Sequence, residues 1–269
     1  MRTSSDVVVR RSVPPRAPDL TQGRALLRRH LVMAGVLALL LVISGVWGVK
    51  VVRVARSIDT YRSYWAQPRG EPGGIFYVAL GDSAAPSIGA SSPELGYVGL
   101  LAEPMRARTC QPVLVINLSS TGATVRDVVD TQLPQVESLA PDVVTVAIGG
   151  NDIRAYDTAR FRAEIDELTA ALPANTLIAD VPYFMHAGWE KDAHAAAGIL
   201  TDSALAQSLQ VAPLHREQHD RGMSAMLTDF AADWFHPNDR GHRVWADALW
   251  TELQRMDALT PPAGCSPAE

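Results

Sequence analysis

Ile75-Phe-Tyr-Val-Ala-Leu-Gly-Asp-Ser83 is the stretch that decides the fold: six apolar residues in a row, then a glycine, an acid and a serine. Such a run fits a strand buried on both faces, and Gly81 lets the backbone turn where the strand ends. Ser83 then stands at the C-terminal rim of a sheet. Open α/β sheets hold their chemistry at that rim, so a serine on a rigid strand end is a candidate nucleophile. A lone Gly-Asp-Ser is more often a plain turn, and partners elsewhere in the chain must decide.

Beyond this stretch, helical and strand patterns alternate. Apolar spacing predicts a helix from about Glu94 to Arg108, a buried strand over Val113–Leu118 and a helix from Ala123 to about Leu139, broken or restarted at Pro134. A third strand over Asp142–Ile148, a helix over Phe161–Leu172 and a fourth strand over Thr176–Val181 follow. A helix over Ala193–Leu209, a short strand near Gln210–Leu214 and a helix over Gly241–Met256 complete the set. Alternation at this spacing implies an α/β fold with a mainly parallel sheet of about five strands, covered on both faces. Three strands end in small polar loops, at Ser83, Gly122 and Asn151, and these loops should meet at one rim.

Charge divides the chain. Residues 1–69 carry 12 Lys and Arg against 3 acids, whereas residues 70–269 carry 12 against 26. An acidic body offers no basic face for phosphates, so nucleic acid is not expected as a partner. Leu31–Val49 is a stretch of nineteen residues without a charge, bracketed by Arg28-Arg29-His30 and Lys50. As a helix it reaches about 28 Å, close to the roughly 30 Å hydrocarbon core of a bilayer. It reads as a transmembrane signal-anchor rather than a cleaved signal, because about thirty residues precede it and no small-x-small site follows closely. Flanking basic residues tie at five on each side, so charge does not orient it. The usual behaviour of N-terminal anchors puts residues 1–30 in the cytoplasm as a disordered tail and the acidic body outside. Residues 50–73 form a juxtamembrane segment and Pro/Gly linker, and the folded domain spans 74–269. Cys110 and Cys265 either pair in an oxidising compartment or stay as two free thiols, and they are too few for a structural zinc site.

Asp233-Trp-Phe-His236 supplies what Ser83 lacks. Acyl transfer from a serine needs a base to take its proton and a carboxylate to hold the imidazole tautomer and steady the imidazolium. Asp233 and His236 stand three apart with Pro237 stiffening the turn, and Gly149-Gly-Asn-Asp152 follows the third strand. These blocks together resemble the SGNH (GDSL) hydrolase family. Gly81-Asp82-Ser83 resembles its first block, Gly122 its second, Gly149–Asp152 its third and Asp233–Asn238 its last, over about residues 75–253.

The resemblance implies a flavodoxin-like three-layer α/β/α sandwich and a Ser-His-Asp esterase mechanism without metal or cofactor. Ser83 would be the nucleophile, His236 the base and Asp233 the residue that orients it. The oxyanion hole would fall to the backbone N–H groups of Ser83 and Gly122 and the side-chain amide of Asn151. Preorganised donors there stabilise the charge that develops on a tetrahedral oxygen, and a neutral amide donates without competing as a base. One departure is that the first block reads Gly-Asp-Ser-Ala-Ala, without the family's leucine, and Pro86 and Ser87 follow it. That bears on pocket shape more than on catalysis. Asp82 and Asp152 read as loop-holding acids, and Trp234 and Phe235 as walls of the acyl pocket. His215 and His219 have ligand spacing, but no third ligand matches them in sequence, so no metal is expected.

The chain therefore reads as a membrane-anchored serine esterase acting on acyl or O-acetyl esters through an acyl-enzyme. An acyltransferase using the same residues, or an idle binding domain that keeps the fold, are the alternatives.

Overall fold

Burial on both faces puts the 75–81 run at the middle of a sheet. The computed structural model describes residues 20–265. Its strands are β1 (Arg69–Gly70), β2 (Ile75–Gly81), β3 (Val113–Asn117), β4 (Val143–Ala147), β5 (Thr176–Ala179) and β6 (Gln210–Ala212). They form one six-stranded sheet of order β1-β3-β2-β4-β5-β6. All pairs are parallel except β1 on β3. Strand order reverses at β2, which lies between β3 and β4 with Tyr77 level with Val115 and Val143. That is the switch point at which open α/β sheets form a crevice.

Alternation along β2 divides the core into two layers. Ile75, Tyr77 and Ala79 pack with the Tyr97–Thr109 and Asp239–Leu253 helices. Val78 and Leu80 pack with helix 125–139 and with the Thr158–Ala171 and Ala187–Ala206 helices. The mainly parallel, doubly covered sheet expected from the alternation is what forms. Its sixth strand, β1, lies in the stretch read as a linker. Only two residues long, β1 carries no apolar signal and is held by backbone pairing to Val115 and Leu114.

Helix limits differ from the sequence reading where caps decide them. Asp157 caps the Thr158–Ala171 helix by accepting from the N–H of Arg160, which starts it three residues before Phe161. The Asp239–Leu253 helix starts at Asp239 because the side chain of Asn238 accepts from the N–H groups of Arg240 and Gly241. Gly96 separates a Pro93–Leu95 turn from the helix that follows. At Pro134 the predicted interruption takes the form of a π turn over Val128–Gln132, with the N–H of Leu133 bonding the carbonyl of Val128. The Leu214–His219 helix was not anticipated.

By contacts the chain divides into residues 1–48 and 49–269. In the first unit the helix begins at Leu20, so residues 20–30, read as tail, are helical, whereas residues 1–19 lie outside the described residues. Leu31, Leu40 and Ile43 are all more than half exposed, and the helix is long and apolar enough to cross a membrane. In the second unit helix residues up to Trp65 join the domain. Trp65 enters the core and the Tyr61 hydroxyl donates to the carbonyl of Ala90 at 2.9 Å. The folded body thus recruits part of the segment read as juxtamembrane.

Of the two states left open for the cysteines, the disulfide is the one that forms. Cys110 and Cys265 are bonded with Cα atoms 5.8 Å apart across 155 residues of sequence. Cys110 has φ 52°, a left-handed end to the Tyr97–Thr109 helix that turns its side chain toward the chain terminus. A cross-link over a loop this long restricts the unfolded chain. Reduction, or Cys265→Ser, is expected to lower the unfolding free energy of the domain by about 2–5 kcal/mol in urea titrations followed by tryptophan fluorescence.

Candidate active site

Gly81 ends β2 with φ 147°, and a Cβ there would sit 2.3 Å from the carbonyl oxygen of Ala147 on β4. Only glycine fits. Its N–H donates to Gln132 Oε1 at 2.8 Å and its carbonyl accepts from Gln132 Nε2 at 2.9 Å. Gln132 is buried at the end of the π turn, which is how a helix side chain reaches the strand end squarely. The clip fixes where the next two residues point. Sequence reading missed Gln132, since a single glutamine in a helical pattern carries no signal of its own.

Ser83 follows, 5% exposed. Its Oγ lies 2.9 Å from His236 Nε2, and His236 Nδ1 lies 2.6 Å from Asp233 Oδ2. The three residues named from sequence therefore form one hydrogen-bonded relay. Asp233 also accepts from the N–H groups of Phe235 and His236, each at 3.1 Å, through its other oxygen. Burial pushes its carboxyl up, but these bonds and the neighbouring imidazole outweigh burial and hold it below the usual range. Ionised, it fixes the His236 tautomer with Nδ1 as donor, leaving Nε2 to accept from the serine.

The histidine turn is built by its own backbone. Trp234 takes φ 58°, strained for a non-glycine residue, while the His236 carbonyl accepts from the N–H of Ala231 at 2.8 Å. Asn238 donates to the carbonyls of Thr228 and Phe230 at 2.9 Å each, and so anchors the segment just past Pro237. On the serine side, Gly89 (φ 96°) approaches so closely that a Cβ would meet the Pro237 carbonyl at 2.3 Å. Both loops are thereby pressed together. His242, fully buried, reinforces them by contacting the carbonyl of Ile88 through Nε2 at 3.2 Å, and burial pushes its pKa down to about 4. It is a neutral strut and not a second base.

Gly122 has φ 86° and no atom within 4 Å of where a Cβ would stand, so backbone conformation is what calls for glycine there. The side-chain nitrogen of Asn151 donates to the carbonyl of Ala123 at 3.0 Å and makes a long 3.5 Å contact with Asp82. That one amide draws together the loops after β2, β3 and β4. Among the described residues, the backbone N–H groups of Ser83 and Gly122 donate to no protein acceptor, and the second Asn151 proton is only weakly used.

The two acids expected to hold loops do so. Asp82 accepts from the N–H of Ala84 at 3.0 Å, and Asp152 receives that of Val125 at 3.3 Å. Burial pushes each carboxyl up to about 6, against an ordinary 3.8.

Beside the serine lies a cavity of about 90 Å³ with an apolar wall of Pro182, Phe184, Trp189, Phe235 and Trp245. Phe235 is in the wall as expected, its ring edge-on to His236 with centroids 5.0 Å apart, and Trp234 also borders the space while remaining 52% exposed. The 182–186 loop after β5 makes most of the opposite side. Sequence reading did not find it, because no motif marks a wall made of scattered aromatics.

Relay, switch-point crevice and free donors describe a serine ester hydrolase on an α/β sandwich. The chain belongs to the GDSL-like lipase/acylhydrolase family, whose profile matches residues 79–244. Solved structures share the fold. A lipase/acylhydrolase from Enterococcus faecalis is 20% identical with TM-score 0.58, over 72% of this chain and 99% of that one. An α/β hydrolase from the Lake Arreo metagenome is 22% identical with TM-score 0.54, over 67% and 95%. An acetylxylan esterase from Geobacillus stearothermophilus is 19% identical with TM-score 0.52, over 71% and 98%. Comparison with curated proteins by sequence finds no match.

Asp82 gives a pH test of the buried site. Its folded pKa lies above its unfolded value, so its contribution to stability is complete below about pH 3.8 and lost as pH rises through about 6. Asp82→Asn removes that loss. Relative to the native chain, the variant is expected to gain up to about 3 kcal/mol between pH 4 and pH 8 in denaturant titrations at each pH.

Proposed function

We propose that Ser83 is the nucleophile, His236 the general base and Asp233 its orienting carboxylate in hydrolysis of carboxylic esters. The observation that carries this reading is the unbroken Asp233–His236–Ser83 relay at 2.6 and 2.9 Å. His236 Nε2 takes the serine proton as Oγ attacks the ester carbonyl. The resulting oxyanion is held by the N–H groups of Ser83 and Gly122 and the amide of Asn151, whose weak contact to Asp82 it replaces. The imidazolium then gives its proton to the departing alcohol. Water, deprotonated by the same nitrogen, releases the acid from the acyl-enzyme.

The acyl part is small. A cavity of about 90 Å³ walled by aromatic side chains beside Ser83 suits a short acyl chain. O-acetyl and other short acyl esters are therefore the proposed substrates.

The chain is anchored in the cell membrane through Leu31–Val49, with the domain outside. The uncharged helix supports the anchor, and the Cys110–Cys265 disulfide supports an oxidising compartment for the domain. Protease added to intact cells should digest the domain while cytosolic markers survive, whereas protection of both would refute this topology.

A fluorophosphonate probe should label the full chain in detergent and fail on Ser83→Ala; labelling that persists in the variant would remove Ser83 as nucleophile. Asn151→Ala should fold and lose about 10²–10³ in turnover of a short-chain nitrophenyl ester. Across chain lengths, kcat/KM should fall by about tenfold or more from butyrate to dodecanoate esters, with Phe184→Ala flattening that profile.

A further inference from the structure

Away from the relay, the Ala187–Ala206 helix carries Glu190 and His194 one turn apart, and the Leu214–His219 helix brings His215 against them. One ligand atom from each lies within 4.8 Å of the other two. The sequence pairs His215 with His219 at ligand spacing, but the tertiary fold pairs it with the other helix. His219 points elsewhere, its Nδ1 3.2 Å from Asp220 and its ring on Tyr183.

Three observations make this cluster a candidate cation site. His215 is 8% exposed, and its Nε2 is enclosed without an aligned hydrogen bond. Glu190 Oε1 is nevertheless 3.0 Å from that nitrogen. An imidazole nitrogen and a carboxylate oxygen that close can also be bridged by a cation. Ligand atoms about 2.0 Å from a tetrahedral ion stand about 3.3 Å apart, each pointing at the ion and not at its neighbour. His194, finally, is exposed, forms no side-chain hydrogen bond among the described residues, and has its ring 5.3 Å from that of His215. Its side chain can therefore swing in by about an ångström without breaking anything.

We propose that Glu190, His194 and His215 form a binding site for a divalent transition-metal cation of the zinc class, with water completing the tetrahedron. Two imidazoles and one carboxylate at i, i+4 plus a distant third position are the donor set such ions prefer over magnesium or calcium, which seek oxygen. The site is not part of the ester chemistry. Its link to that chemistry is mechanical, since Glu190 Oε2 accepts from the N–H of Phe184 at 2.8 Å. Phe184 packs on Trp189 and Phe235 in the acyl-pocket wall. A cation that fixes Glu190 therefore also fixes the 182–186 loop.

Zinc binding to the full chain in detergent, measured by calorimetry and by elemental analysis after dialysis, tests this. One zinc per chain is expected, with a rise in Tm on adding zinc. His194→Ala, which removes an exposed side chain and leaves the metal-free Tm unchanged, should weaken binding by at least about tenfold and abolish the rise. Glu190→Gln should also weaken binding. Absence of retained zinc, or binding equally tight in His194→Ala and Glu190→Gln, would overturn the assignment.

Discussion

Ser83 Oγ must stand 2.9 Å from an imidazole 153 residues further along the chain, and most of the domain is arranged to meet that constraint. The serine end of the contact is set by β2, whose apolar side chains bury it in mid-sheet, and by Gln132, which clips Gly81 through both its N–H and its carbonyl. The histidine end is set by a strained turn at Trp234 and by Asn238, which ties that turn to the residues before it. Gly89 allows the two ends to touch. Each device removes a freedom that would otherwise loosen a single hydrogen bond.

The same convergence shapes the electrostatics. Asp233 is kept ionised by donors that outweigh its burial, while Asp82 and Asp152, with fewer donors, are pushed up to about 6. Three carboxylates within one rim thus behave differently because each is solvated differently by the protein. Only the one beside the imidazole is held below the usual carboxylate range. His236 and His242 divide in the same way: one spans serine and carboxylate, while the other is sealed in the core and neutral.

Legibility in the sequence followed the locality of the signal. Strands β2 to β5 were readable because a largely buried strand is a continuous apolar run, whereas the three-residue β6 with its exposed Gln210 left a weaker pattern and the two-residue β1, held by backbone pairing, left none. Asp233 and His236 were readable because they are three residues apart. Gly122 and Asn151 were named through the order of short motifs, and their place at the rim follows from β3 and β4 lying on either side of β2. Gln132, the 182–186 wall and the Glu190–His194–His215 cluster were not readable as a site. In each, the partner comes from another element, and no spacing along the chain encodes it.

By itself the sequence determined the α/β class, the apolar N-terminal helix, the family and the residue types at the rim, since burial, periodicity and short motifs are local properties. Tertiary structure alone decided that Cys110 meets Cys265, that Asn151 joins three loops, and that the space beside Ser83 is closed by aromatics from two distant segments. Those outcomes depend on which elements the sheet order brings side by side. A chain pattern specifies each element's faces, but distances between faces exist only once they are packed.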